Sequence, residues 1–184
     1  MEEQATELMD IVKGRRSICK YQDKEISNLL LYRILESLRW CPSWDNTQCW
    51  EVIVVRDTAN KMKLQGIIPK TNPAWDAVVQ APVVLVLCGA LQRSGYSNDQ
   101  VTTKFGDWFM FDLGIATQTL CLAAHDLGLG TVIAGLFDHN KAKELLGVPG
   151  SYEPVTIIPM GFPDEVSDAP PRREVSEFTH SEEF

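Results

Sequence analysis

The 184-residue chain has few of the residues from which a protein builds chemistry of its own. Its three histidines, His125, His139 and His180, are scattered, with no HExxH or HxH spacing to hold a metal. There is no GxSxG elbow, no P-loop and no GxGxxG after a first strand, and no pair of carboxylates stands out. An enzyme with this sequence takes its chemistry from a bound cofactor, with no catalytic side chain and no metal of its own. Cysteine is sparse too: Cys19, Cys41, Cys49, Cys88 and Cys121 are odd in number, widely spread and free of any CxxC pair. That pattern speaks against a disulfide framework or a zinc site and fits reduced thiols in a cytoplasm. Cys41 and Cys49 flank one loop and read as two unlinked thiols. No apolar run approaches the roughly 20 residues that span a bilayer, so no membrane partner is expected. The opening MEEQATELMD is too acidic and polar for a secretory signal. Positive charge is in deficit, with 17 Lys and Arg against 25 Asp and Glu and a net charge of −8. Such a surface repels a phosphate backbone and argues against nucleic-acid binding, but leaves room for a local basic pocket that takes one small phosphate.

What the chain does contain suits one domain over residues 1–184, without repeats or low-complexity tracts. Helical spacing runs from Gln4 to Lys13 and stops at Gly14. A second helix starts at the cap residue Ser27, continues through Leu38 and is stopped by Pro42. Glu51–Arg56 reads as a strand. Asp57 caps a helix through Leu64, and a short helix fits Trp75–Val79. Val83–Cys88 is a strand apolar on both faces, and Leu91–Gln100 reads as a surface loop. Phe105–Leu127, apolar on every side, predicts a buried central helix ended by Gly128 and Gly130. Thr131–Ala134 predicts a short strand. Asp138 caps a helix closed by Gly147, and Pro154–Met160 is the last core strand. From Gly161 the tail turns polar and Pro-rich. The order implies an α+β or mixed three-layer arrangement and not a Rossmann unit.

Three clusters could carry a site. Arg15-Arg16-Ser17, at the end of a helix, gives two guanidiniums and a hydroxyl for an anion. Pro42-Ser43-Trp44-Asp45-Asn46-Thr47-Gln48 packs amides and hydroxyls among Trp40, Trp44 and Trp50, the groups that bond a heterocycle edge and a sugar chain. Gly128-Leu129-Gly130-Thr131, then Ile133-Ala134-Gly135, lets backbone approach a flat ligand. Taken singly, each has a plainer reading, as a solvated basic turn, a polar connector and a helix stop with a tight turn, and the density of amides among tryptophans favours a site for the second.

Taken together they resemble one family. RRSICKY is similar to the opening motif of the nitroreductase family, and CPSWDNTQCW to its second motif. WFMFDLGIATQTLCLAAHDLGLGTVIAGLFD is similar to its central helix and glycine turn. VTIIPMGFP followed by Arg172-Arg173 is similar to its last strand and closing arginine. The four matches keep their order from about Ile11 to Arg173.

The resemblance implies a three-layer α-β-α fold with a central antiparallel sheet flanked by helices. It implies a homodimer with FMN at the interface and NAD(P)H as co-substrate. Hydride would pass through flavin N5 to an electron-poor acceptor such as a nitroaromatic or a quinone. Arg15, Arg16 and Ser17 would hold the FMN phosphate and ribityl chain, assisted by Arg173 and Arg172. Pro42, Ser43, Trp44, Asn46 and Gln48 would reach the partner's flavin. The backbone around Ala134 and Gly135 would face N5, and Asn72 the ring edge. Phe109 and Phe111 would line the acceptor site or belong to the core. Residues 164–184 would pack on the partner subunit. Cys19 departs from the family's usual cation and Trp44 from its usual small residue. The same scaffold hosts dehalogenation, azoreduction, ene-reduction and flavin fragmentation, and a non-catalytic FMN-binding protein or a cofactor-free interaction module are the rivals from other classes.

Overall fold

The structure is a computed structural model and describes residues 6–184. The Gln4 start expected for the first helix, and half of the opening segment judged against a secretory signal, lie outside the described residues. Helix α1 (Glu7–Gly14) is capped by Thr6, whose hydroxyl accepts from the Met9 N–H at 3.3 Å. The chain then runs extended: the Ile18 N–H donates to the Thr131 carbonyl at 3.0 Å, and Tyr21 bridges to Pro163. Helix α2 (Asn28–Glu36) is capped by Ser27 as expected, but tightens into a 3-10 turn over Ser37–Trp40. Helix α3 (Thr58–Gln65) is capped by Asp57 and helix α6 (His139–Leu146) by Asp138; α6 is closed by Gly147 in the left-handed conformation. Helix α4 (Ala74–Gln80) follows Asn72, whose side-chain oxygen accepts from the Ala74 N–H at 2.9 Å.

Four strands form an antiparallel sheet in the order β1 (Trp50–Val55), β2 (Val83–Ala90), β6 (Tyr152–Gly161), β5 (Gly130–Thr131). Residues of β2 alternate between two cores, because successive side chains of a strand leave opposite faces. Val83, Leu85 and Leu87 meet Ile34 of α2 and Leu113, Leu120 and Cys121 of helix α5 (Phe109–Asp126). Val84, Val86 and Cys88 meet Leu64, Ala77 and Val78 of α3 and α4 and Ala142 of α6. Every residue of β2 is buried, which explains its lack of polar alternation. The sequence expectation of a three-layer α+β fold with a central antiparallel sheet therefore holds.

Three expected boundaries need correction. Helix α5 begins at Phe109 and not Phe105: Gly106 has φ +75°, and the Trp108 N–H is taken by the Ser94 carbonyl at 2.9 Å, so the turn before Phe109 is not helical. Nor is α5 covered all round, since Met110 and Phe111 are 57% and 59% exposed. The expected strand Thr131–Ala134 is interrupted: only Gly130–Thr131 pairs continuously, and Ala134 returns as a lone bridge to Ile157. The expected loop Leu91–Gln100 is partly ordered as a small hairpin, β3 (Tyr96–Ser97) with β4 (Gln100–Val101), which turns on Asn98 and Asp99, both at positive φ. Its stem residue Ser94 is fully buried.

Close packing of the Arg15–Tyr21 segment on β5 sets a testable limit. A Cβ added at Gly130 would stand 2.5 Å from Ile18 Cγ1 and 2.7 Å from Ile18 Cβ, near the backbone of that segment. Gly130→Ala should lower stability by about 1–3 kcal/mol, the scale of overpacking a tight core. Urea unfolding reads it, and an unchanged midpoint would show the contact to be slack.

Candidate functional site

The first and third clusters meet. Ser17 lies beside Thr131 in a parallel bridge, so the Arg15–Ser17 turn and the glycine turn after α5 share one surface. His125, in the last turn of α5, packs against Gly14, where an added Cβ would stand 2.8 Å from its Nε2. Arg16 folds back, with Nη1 donating to the carbonyls of Lys13 at 2.6 Å and Arg15 at 2.9 Å. Arg15 is half-buried, and its guanidinium has no hydrogen-bond or ion-pair partner among the described residues. Burial, then the Arg15 and Arg16 charges, holds the His125 imidazole below its ordinary pKa. The locality is thus electropositive on an acidic protein. Ser17 and Cys19 open on a neighbouring cavity of about 220 Å³ shared with Lys20, Glu165 and Ser167. Lys20 is not a spare cation there, because its Nζ pairs with Glu165 at 2.5 Å. Burial raises the Cys19 thiol, which therefore stays neutral near pH 7.

Arg172 and Arg173 are exposed on the tail. Arg172 donates to the Pro170 and Pro171 carbonyls, and Arg173 donates to the Glu177 carbonyl. Within one chain, then, the described contacts of both arginines stay inside the tail and do not reach Arg15.

The second cluster lies at the other end of α5. There the Trp44 N–H donates to both carboxylate oxygens of Asp112, at 3.1 and 3.2 Å. The Trp44 ring sits 6.1 Å from Trp108, which is itself 5.3 Å from Phe111 and 5.8 Å from Phe105. Ser43 Oγ accepts from the Gln48 N–H at 2.9 Å, and Gln48 Nε2 donates to Asn46 Oδ1 at 3.2 Å. Pro42, Asn46 and Gln48 are exposed, while Ser43 and Trp44 are half-buried.

At the N-terminal end of α5 opens a largely apolar cleft of about 400 Å³, lined by Phe109 and Met110 of α5, by Ile133, Gly135 and His139, and by Glu153, Pro154, Val155 and Thr156 of β6. A bulge in β6 opposite Leu87 and Cys88 is what turns the adjacent Val155 and Thr156 both towards it. Thr156 Oγ1 is buried there without a partner. Gly135 is exposed, its N–H has no partner among the described residues, and nothing lies within 4 Å of where its Cβ would be. Ala134 differs: it is buried, and its N–H donates to the Ile157 carbonyl at 2.9 Å. Of the two residues expected to offer backbone, only Gly135 has a free amide. Asn72, expected near a ring edge, is occupied in starting α4. Phe109 lines the cleft, whereas Phe111 joins the aromatic group at its end.

Sequence reasoning missed Asp112 and Ser94. The carboxylate of Asp112, 1% exposed, also accepts from Ser94 Oγ at 2.6 Å and from Cys49 Sγ at 3.5 Å. Burial first, then the Asp112 charge and hydrogen bond, push the Cys49 thiol up to about 12, so it remains a donor. The signal was present as a lone acid in an otherwise apolar helix turn. All five cysteines are unpaired, no metal-holding group of His, Cys, Asp or Glu occurs among the described residues, and no described helix is long and apolar enough to cross a membrane.

Comparison with known proteins fits this geometry. Residues 12–162 match the Nitroreductase family. The chain is 34% identical to a Methanothermobacter thermautotrophicus protein whose name pairs NADH dehydrogenase with NAD(P)H nitroreductase, over 86% of this chain and 78% of that one. It is 29% identical to a Bacillus subtilis protein named as an NAD(P)H FMN reductase, over 97% of this chain and 74% of that one. Its fold superposes with a TM-score of 0.84 on an Exiguobacterium sibiricum protein solved in complex with FMN, at 20% identity and covering 99% of this chain and 100% of that one. The matched span takes in all four strands of the main sheet and both ends of α5, and the chain therefore belongs to the nitroreductase family of oxidoreductases.

Proposed function

We propose that this oxidoreductase binds FMN at a site shared by two copies of the chain and passes a hydride from NAD(P)H to an electron-poor acceptor such as a nitroaromatic or a quinone. The observation that carries the reading is the separation of the polar clusters. Both suit one flavin mononucleotide, yet the 18 residues of α5, rising about 1.5 Å each, hold them at opposite ends of the helix. One chain does not present both clusters to one cofactor; two chains related by a two-fold axis would. The surface agrees. Helix α1 buries none of its residues, and eight residues make a marginal helix in water without a partner. Met110, Phe111, Ile133 and Leu136 stand exposed along and beside the cleft, and every residue from Asp164 to Phe184 is exposed, as suits a tail that packs on a second subunit.

The residues present fit the cofactor. The unpartnered Arg15 guanidinium, with Arg16 and Ser17, would hold the phosphate and ribityl chain, and Arg172 and Arg173 would join them when the tail is docked. Pro42, Ser43, Trp44, Asn46 and Gln48 would serve the flavin of the other subunit. The free Gly135 N–H and the orphaned Thr156 hydroxyl give the apolar cleft the few polar groups a flat heterocycle requires. Ala134 contributes shape only. The FMN in the E. sibiricum complex and the FMN reductase name support the choice of cofactor.

FMN held by these residues would supply the redox chemistry, a hydride acceptor and donor at N5, so the chain needs no acid or base of its own for the first transfer. The chain's share is position and electrostatics. Its arginines favour an anionic ligand, while the neutral Cys19 adds no charge where relatives of the resembled type carry a cation. Trp44, Trp108 and Phe111 offer rings for stacking against a flat acceptor. Five unpaired thiols suit a reducing cytoplasm.

Anaerobic addition of NADH or NADPH to the FMN-loaded protein should bleach the flavin visible band, and no bleaching with either nucleotide would favour flavin storage. Arg15→Ala should raise the FMN dissociation constant roughly tenfold to a hundredfold, the worth of a hydrogen bond between charged groups; unchanged flavin content would remove the phosphate assignment. Dilution of the loaded protein to monomer, followed by flavin fluorescence, should show FMN released in step with dissociation. A monomer that keeps its flavin contradicts a shared site.

A further inference from the structure

Asp112 is a buried carboxylate that, among the described residues, has no cation as a hydrogen-bond or ion-pair partner, and it has no part in the chemistry above. An unpaired charge inside a protein is destabilising unless donors replace the lost water. Here they do: the first turn of α5 presents its positive dipole end, and Trp44 N–H, Ser94 O–H and Cys49 S–H all point at the carboxylate. The three donors come from two stretches of chain: the Ser43–Gln48 loop with Cys49, which follows it directly and precedes β1, and the stem of the β3–β4 hairpin.

The loop is the part that needs an anchor. Asp45, Asn46 and Gln48 have φ of +44°, +53° and +46°, a left-handed conformation that is unfavourable for residues with a side chain. Such a conformation persists only where the surroundings over-determine it. The loop's own bonds, from the Asn46 N–H to the Ser43 carbonyl and from the Thr47 N–H to the Trp44 carbonyl, are local and would turn with it. Among the described residues, the loop's hydrogen-bonded tie to the rest of the chain is the Trp44 amide on Asp112, beside the packing of the Trp44 ring on Trp108.

We propose that Asp112 is the positioning residue of the cofactor site: it grips the Trp44 amide, fixes the strained Ser43–Gln48 loop in the form that meets the partner's flavin, and locks that loop to the Ser94 hairpin stem. This rests on the reading of the loop as a flavin contact. It also gives a reason for an acid at this point of an apolar helix, since no apolar side chain accepts three hydrogen bonds.

Two sets of variants test it, each purified as the full chain and titrated with FMN by flavin fluorescence, with hydrogen exchange followed by mass spectrometry. In Asp112→Asn one carboxylate oxygen becomes a donor that faces other donors. In the second set the carboxylate is untouched: Trp44→Ala keeps the backbone N–H, whereas Trp44→Pro removes it, and the extended Ser43 (φ −146°, ψ 163°) is compatible with a following proline. FMN binding should weaken roughly tenfold or more in Asp112→Asn relative to wild type, and in Trp44→Pro relative to Trp44→Ala, the worth of a hydrogen bond to a charged acceptor. Exchange should rise over residues 42–50 and the hairpin stem while β2 and β6 keep wild-type protection. Equal FMN affinity for Trp44→Pro and Trp44→Ala overturns the proposal, as does faster exchange spread through β2 and β6, which would mark Asp112 as a general core residue. If Asp112→Asn does not fold, the tryptophan pair alone decides. If wild type takes up no FMN, the flavin reading fails, and exchange over residues 42–50 still judges Asp112 as the loop's anchor.

Discussion

Helix α5 works as a strut. Leu113, Ala116, Leu120, Cys121 and Ala124 fix one side of it to a sheet whose central strand is buried on both faces, so the helix neither tilts nor slides without disrupting the core. Its ends then become fixed points. At the C-terminal end, His125 packs under the Arg15–Ser17 turn and Gly128 leads into the strand that Ser17 joins. At the N-terminal end, Asp112 and Trp108 hold the Ser43 loop. The length of the strut keeps the two polar clusters apart within a chain, and this separation is the physical argument behind the proposal of a site shared between chains.

The uncovered side of α5 has the same origin. A helix apolar on all faces has to be covered on all faces. One chain covers only the side that faces β2, leaving Met110 open in the cleft and Phe111 and Gly114 exposed beside it. The exposed apolar stripe is consistent with a flat ligand and a second subunit lying on that side. The bulge at Val155, which turns Val155 and Thr156 the same way, adds the opposite wall.

Much of this was legible in the residues. The caps Ser27, Asp57 and Asp138, the stops Gly128 and Gly147, and the doubly apolar β2 follow from short-range rules, and all appear where those rules put them. The Arg15 turn and the amide loop were visible as candidate clusters because their residue types are uncommon between apolar elements. Less was legible where a distant contact decides. Residues Phe105–Trp108 have helical spacing, but Ser94, distant in sequence, takes the Trp108 amide. Ala134 and Gly135 look alike on paper, yet pairing with Ile157 occupies one amide and leaves the other free. Asp112 stood in plain view as an isolated acid; its three donors come from residues 18 to 68 positions away.

The sequence by itself determined the kinds of element, the α+β class and the family, because period, capping and motif order are properties of neighbouring residues. The tertiary structure decided that the Gly135 amide and the Arg15 guanidinium have no partner among the described residues, and that the two polar clusters lie at opposite ends of one helix. Those facts depend on how segments far apart in the chain share a buried volume, and a buried donor or carboxylate takes whatever partner packing brings to it.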